Sequence, residues 1–110
     1  MAIEYFELNT DGEFGQAKMS LDSFEDIATQ AAIKIKGVYI PKKVNDIVNV
    51  KFKDNEIVVE ISVKLIQGID IAKTCQEIQN NIYTSILEMT NVKCKEVNID
   101  ITGFIQEKDN

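Results

Sequence analysis

The sequence predicts an α+β fold, a two-layer sandwich in which a mainly antiparallel sheet carries two helices on one face. Two patterns predict it. Segments with apolar residues at every second position indicate strands buried on one face, and two segments with apolar residues three or four positions apart indicate one-sided helices. The elements follow the order β-α-β-β-α-β, and 110 residues suit a single domain.

The chain divides into three parts. Residues 1–15 are an N-terminal arm with short apolar pairs around a turn at 9–12, and the arm is either an extra hairpin or a loose terminus. Residues 16–106 form the single domain, and the polar residues 107–110 form a tail.

The domain opens with a short strand followed by a helix over residues 23–36. Asp22 or Ser23 is expected to cap the helix, and Gly37 lies where a left-handed residue would end it. The alternating strand residues are Ala17, Met19 and Leu21. The apolar stripe of the helix consists of Phe24, Ile27, Ala28, Ala31 and Ile35.

A hairpin follows a loop over residues 38–46, which contains the only proline. Its first strand directs Val48, Val50 and Phe52 inward, and its turn lies at residues 54–55. The second strand alternates over nine residues, and its inward set is Ile57, Val59, Ile61, Val63 and Leu65.

The second helix is expected to begin after Asp70 as cap and to close at Asn91. The residues of its inner stripe are Ile71, Cys75, Ile78, Ile82, Ile86 and Met89. In the final strand, Val97, Ile99 and Ile101 point inward, and the strand ends near Gly103.

The composition excludes several functions. The chain has no His, and its twelve basic residues are all Lys against 18 acidic residues, a net charge of −6. Without His there is no His-based triad and no His-containing zinc site, and without Arg there is no bidentate fork for phosphate or guanine. No catalytic residue, cofactor site or metal site is therefore predicted, and we expect the protein not to be an enzyme.

The residues that could carry chemistry have simpler structural explanations. Cys75 and Cys94 belong to no Cys-x-x-Cys pair, and core packing is the more common role of free cysteine. The acidic clusters lack the spacing of a calcium loop, and the five glycines form no phosphate-binding motif.

Two binding surfaces remain open. The order of elements is shared with single-stranded RNA-binding modules, but the outward residues of the central strand include no aromatic on which a base could stack. The loop Tyr39, Ile40, Pro41, Lys42 and Lys43 is the best candidate for contact with a partner or an acidic membrane surface. The alternative is a connector whose Tyr39 and Ile40 fold back over the core.

The start of the chain shows no secretory signal, and no apolar run reaches the roughly 20 residues of a membrane span. We therefore expect a cytoplasmic protein without a membrane span, with both cysteines reduced.

A series of short motifs between residues 16 and 106 is similar to a known family. In order, they are Phe24-x-x-Ile27-Ala28-x-x-Ala31, Ile35-Lys36-Gly37-Val38, the strand Ile57 to Leu65, Gly68-Ile69-Asp70-Ile71, Gln76-Glu77-Ile78-Gln79, Met89-Thr90-x-Val92 and Val97-Asn98-Ile99-x-Ile101-x-Gly103. Together they resemble the alkaline shock protein family, or envelope stress response proteins, of Gram-positive bacteria.

The resemblance implies a small, cytoplasmic, non-enzymatic scaffold or interaction protein in cell-envelope homeostasis. It implies protein partners, including self-association and a membrane-anchored partner that would hold the protein peripherally at the membrane. Nucleic acid is not an expected partner, although a nucleic-acid-binding module stays as an alternative. Regulation of a metabolic enzyme, such as one of lipid synthesis, is a further alternative, since it needs only a binding surface.

Overall fold

The computed structural model describes residues 5–8, 17–40, 48–53 and 56–106. The elements in chain order are β1 (Tyr5–Leu8), β2 (Ala17–Ser20), α1 (Leu21–Ile33), β3 (Val38–Tyr39), β4 (Val48–Lys53), β5 (Glu56–Ile66), α2 (Ile71–Thr90) and β6 (Cys94–Ile105). The helices and strands confirm the predicted α+β class.

Strand β5 is the centre of the four-stranded main sheet. On one side it pairs with β4 and, near its C-terminal end, with β3, both antiparallel. On the other side β6 runs parallel to β5 over almost its whole length, from Ile57 opposite Cys94 to Ile66 opposite Ile105. A parallel neighbour requires a long crossover connection, which α2 provides.

The N-terminal arm contributes one strand of a hairpin, whose other strand is the first predicted strand of the domain, and the predicted turn at residues 9–12 lies outside the described residues. Strands β1 and β2 pair antiparallel, with Tyr5 opposite Ser20 and Leu8 opposite Ala17. Among the described residues this ribbon is a separate two-stranded sheet, so the first predicted strand lies outside the main sheet.

Strand β3 supplies the fourth strand instead, where the sequence predicted a loop. Gly37 has a φ of +88°, which allows the chain to leave α1 and turn directly into an extended segment. The Ile66 backbone N–H donates to the Gly37 oxygen at 2.9 Å and fixes this turn to the end of β5. Because β3 has only two residues, the sequence shows no alternation of apolar and polar residues that would predict it.

The alternation of β5 is confirmed, since all five of its inward residues are buried. On β4, Val50 is buried and Val48 partly buried, whereas Phe52 is 47 % exposed. The prediction that Phe52 points into the core was therefore wrong. Phe52 lies opposite Ile57 beside the hairpin turn, and this place at the tip of the hairpin leaves it open to solvent.

Helix α1 begins two residues earlier and ends three residues earlier than predicted. Its N-cap is Ser20, whose Oγ accepts a hydrogen bond from the Asp22 N–H at 3.1 Å, and not Asp22 or Ser23. Its buried residues are Leu21, Phe24, Ala28, Ala31 and Ala32, while Ile27 and Ile35 are partly buried against the same core.

Helix α2 has the predicted caps. Asp70 Oδ1 accepts from the Lys73 N–H at 3.1 Å, and Asn91 adopts a left-handed φ of 60°. Ile78, Ile82 and Ile86 are fully buried. Ile71 and Met89 were predicted to be inward but are exposed. Around the helix axis, both residues lie on the same side as the buried residues of α2. They are exposed because they stand in the first and last turns of the helix.

The two helices are joined by a polar contact as well as by the core. Asn81 Nδ2 donates to the Ala31 backbone oxygen at 2.6 Å across the helix pair. Asn81 is itself partly buried. Its hydrogen bond satisfies a carbonyl in the last turn of α1, where the helix itself offers no partner.

Both cysteines are free thiols. Cys94 is buried at the start of β6 and belongs to the core cluster, and Cys75 is partly buried on α2. Burial raises the pKa of the Cys94 thiol from 9.0 to about 11 and raises the pKa of Cys75 as well. Because the thiolate is the reactive form, both thiols are poor nucleophiles at neutral pH.

We predict that Ile82→Asp unfolds the domain. The change places a carboxylate in the centre of the core and should lower the free energy of unfolding by at least about 3 kcal/mol, measured by urea denaturation. Thr84→Asp, at an exposed position of the same helix, is the control and should change stability little. Near-normal stability of Ile82→Asp would mean that this face of α2 is not in the core.

We predict that Cys94 stabilises the fold in a pH-dependent way. Since folding raises the pKa of this thiol, its contribution is complete below pH 9.0 and is lost as the pH rises to about 11. The difference in free energy of unfolding between the native protein and Cys94→Ala should therefore shrink between these pH values. A difference that is constant with pH would contradict the burial of Cys94.

Candidate interaction surface

The described residues assemble no metal centre. No group of three or more Cys, Asp or Glu side chains among them could hold a metal ion. Burial and repulsion from Asp22 and Asp26 raise the pKa of the Glu25 carboxyl group. A hydrogen bond from the Val50 backbone opposes this shift. Glu25 therefore joins α1 to β4, a structural role.

One long feature of the described surface is the outer edge of β6. This strand has 12 residues, and its inner edge pairs with β5. In the described part of the chain, no strand pairs with its other edge. A free edge presents backbone N–H and C=O groups to which another strand can pair.

A hydrogen bond shows which residues direct their backbone groups to this edge. Gln79 Nε2 on α2 donates to the Val97 backbone oxygen at 3.1 Å, so this carbonyl points away from β5. Backbone groups alternate along a strand, and the pairing from Glu96 to Ile101 has no register shift. Ile99 and Ile101 therefore direct their backbone groups outward as well.

The side chains of β6 divide into two rows. Val97, Ile99 and Ile101, as predicted, lie on the helix side and pack against the core, but they are only partly buried because no strand covers them laterally. Asn98 and Asp100 are exposed on the opposite, open face of the sheet. The edge thus has an apolar row and a polar row, as a strand inside a one-sided sheet requires.

A small groove lies between α2 and the start of β6. It has a volume of about 190 Å³ and is lined by Gln79, Asn80, Tyr83, Cys94, Lys95, Glu96 and Val97. Ligand pockets usually measure roughly 300–1,000 Å³. The groove is thus better suited to a side chain of a docked segment than to a cofactor.

The open face of the sheet is mostly polar, although Val58, an outward residue of β5, is buried. A shallow depression of about 390 Å³ is lined by Asn49, Glu60, Ile61, Ser62, Asn98, Ile99 and Asp100. Lys51 Nζ lies 3.0 Å from Glu60 Oε1 in an exposed salt bridge. The outward residues of β5 include no aromatic, as the sequence indicated, and Tyr39 on β3 lies opposite Lys64 at one corner of the face. Carboxylates line the depression, which does not favour the phosphates of a nucleic acid.

The predicted contact loop is described in part. Tyr39 is 45 % exposed, while Ile40 is partly buried and packs against the core. Pro41, Lys42 and Lys43 lie outside the described residues. The exposure of Tyr39 fits the interpretation of this loop as a contact surface. The partial burial of Ile40 fits its interpretation as a connector that folds back over the core.

Sequence reasoning missed the importance of β6. The alternation at residues 97–101 predicted a strand, but it gave no signal for which strand lies at an edge of the sheet. That position depends on the parallel pairing with β5 over residues 57–66, a contact between segments far apart in sequence.

Within the described ranges, none of the helices is both long enough and apolar enough to cross a membrane.

A comparison with family models matches residues 9–106 to the alkaline shock protein family, which is described by its cell envelope-related function. The match covers most of the chain and begins within the predicted N-terminal arm. The curated proteins gave no match, nor did the solved structures. The resemblance drawn from the sequence motifs is thus confirmed, and the chain belongs to the alkaline shock protein family of cell envelope-related function.

Proposed function

We propose that the chain is a non-enzymatic interaction protein of the cell envelope that acts through protein contacts at the free edge of β6. The observation that carries the proposal is the length of this edge: 12 residues of a main-sheet strand, with no pairing strand among the described residues. Family membership supports the envelope role. The exclusions drawn from composition support a protein without catalysis.

Strand addition is the binding mode that this edge favours. Main-chain hydrogen bonds supply affinity, and the side chains on the two faces of the strand supply specificity. The added strand would cover the exposed parts of Val97, Ile99 and Ile101, and each such burial is favourable. To pair along the whole edge, it would also replace the hydrogen bond from Gln79 to Val97.

A second copy of the chain suits this edge. In an antiparallel pair of β6 strands about a two-fold axis, Ile99 lies opposite Ile99 of the second copy, because its backbone groups face outward. Val97 then lies opposite Ile101, which continues the apolar row. Asn98 lies opposite Asp100 on the open face, so no two carboxylates are directly opposed there.

We further propose that the protein is cytoplasmic and is held at the membrane by a membrane-anchored protein partner. Free Cys75 and Cys94 agree with a reducing compartment. A partner of this kind would use the same binding mode as a second copy, by adding a strand of its own to β6.

We predict that lysines at the edge control self-association. Asn98→Lys places a lysine opposite Asp100 of the second copy and should preserve or strengthen the dimer. The double variant Asn98→Lys with Asp100→Lys places lysine opposite lysine twice and should raise the dimer dissociation constant roughly tenfold or more. Analytical ultracentrifugation measures both, and because both positions are exposed, the fold should persist by circular dichroism.

The matched control is Lys51→Gln with Lys53→Gln, which changes two charges on β4, at the other side of the sheet. This pair should leave the dimer unchanged. A native protein that stays monomeric at every concentration, and that recovers no partner in a pull-down from its host, would overturn the proposal. Binding of single-stranded RNA at low salt would favour the nucleic-acid-binding alternative, and recovery of a metabolic enzyme would favour a regulatory role.

A further inference from the structure

We propose that one end of the sandwich binds directly to the surface of an anionic lipid bilayer. This end, called the basic end, comprises residues 33–39, 64–73 and 103–105. The proposal does not depend on strand addition at β6, because the lysines of the basic end lie on other segments and only residues 103–105 belong to β6. It also differs from attachment through a partner protein, since the contact is made with lipid headgroups.

The topology brings three segments together at the basic end. Strand β3 pairs with the C-terminal part of β5, where Tyr39 lies opposite Lys64. Phe104 on β6 lies opposite Leu65 from the other side, and the Gln67 N–H donates to the Ile105 oxygen at 2.9 Å. Helix α1 ends and helix α2 begins at this same end.

The basic end has a charge opposite to that of the whole chain. It carries Lys34, Lys36, Lys64 and Lys73, with Asp70 as its one acidic residue. The chain as a whole has a net charge of −6. Among the described residues, none of these four lysines forms a salt bridge, and three of them are exposed. The positive charge is therefore concentrated and free to attract anions.

Large apolar side chains are exposed beside these lysines. Ile33 is 44 % exposed, Tyr39 45 %, Ile71 44 % and Phe104 51 %. Four of the seven exposed large hydrophobic residues in the described part of the chain thus lie at one end. Apolar and aromatic side chains next to lysines suit the boundary of a bilayer, where rings and aliphatic groups enter the headgroup region and ammonium groups meet lipid phosphates.

Charge complementarity favours an anionic partner, and the placement of the exposed apolar side chains favours a bilayer over nucleic acid. Single-stranded RNA-binding modules stack bases on aromatic side chains that share one face of a sheet. Tyr39 on β3 lies opposite Lys64, and Phe104 on β6 lies opposite Leu65, so the two rings belong to different faces of the sheet. A bilayer surface does not require aromatic side chains on one shared face, because it contacts every group that protrudes from this end of the sandwich. The weak attraction of each lysine adds to that of its neighbours.

The test is co-sedimentation of the full chain with vesicles of phosphatidylglycerol and phosphatidylcholine in equal parts, and with vesicles of phosphatidylcholine alone. We expect binding to the anionic vesicles at about 0.05 M salt and weaker binding at about 0.5 M, where screening is stronger. Each lysine contributes about a fivefold gain in partitioning. Lys34→Gln with Lys36→Gln should therefore weaken binding about 25-fold.

Matched variants show whether vesicle binding depends on the position of the changed residues or only on the net charge and hydrophobicity of the protein. Lys53→Gln with Lys93→Gln removes the same charge at the opposite end and should leave binding nearly unchanged. Tyr39→Ser with Phe104→Ser should weaken binding, whereas Met89→Ser, at an exposed position of the opposite end, should not. Circular dichroism of each variant shows that it is folded.

The proposal would be overturned by no binding to anionic vesicles at low salt, by equal binding to neutral vesicles, or by an equal loss of binding in the two lysine-pair variants. Binding of single-stranded RNA or of an acidic protein at the basic end, with no binding to vesicles, would also overturn the proposal. The β6 double variant Asn98→Lys with Asp100→Lys is measured in the same assay. If it disrupts self-association while vesicle binding persists, the two proposals are shown to be independent.

Discussion

The structure depends on the burial of one strand. The inward residues of β5, from Ile57 to Leu65, belong to one core cluster with buried residues of both helices, and β5 pairs with β3 and β4 along one edge and with β6 along the other. Pairing along both edges satisfies most of the backbone hydrogen bonds of this strand within the sheet. Every other element of the domain is positioned by its contact with this strand or with the helices that cover it.

Much of this core could be predicted because its pattern is local. Alternation over nine residues of β5 specifies which side chains are buried, and Asp70 and Asn91 specify where α2 begins and ends. A one-residue change in register would expose every inward side chain of β5, so the pattern leaves little choice. The same reasoning failed for Ile71 and Met89, since periodicity identifies the face of a helix but not how far its cover extends.

The remaining features depend on contacts between distant segments. Strand β3 is two residues long, and its existence follows from Gly37 and from the hydrogen bond between Ile66 and Gly37 rather than from any pattern of its own. The parallel pairing of β6 similarly requires α2 as a crossover. The candidate surfaces could not be predicted from the sequence for the same reason, because the free edge of β6 and the basic end both depend on the topology of the fold. Of the loop at residues 39–43, which was chosen for its composition, Tyr39 belongs to the basic end, and residues 41–43 lie outside the described part of the chain.

The geometry of β5 and β6 also sets a relation between the two proposed surfaces. The free edge runs along the length of the sheet, whereas the basic end lies at the C-terminal ends of β5 and β6. In an antiparallel pair of β6 strands, the C-terminal end of one strand lies beside the N-terminal end of the other. The two basic ends of such a dimer would face in opposite directions, so one flat membrane could contact only one of them. Self-association would then add no avidity for a single bilayer, and it would leave the basic end of the second copy available on the side away from the membrane.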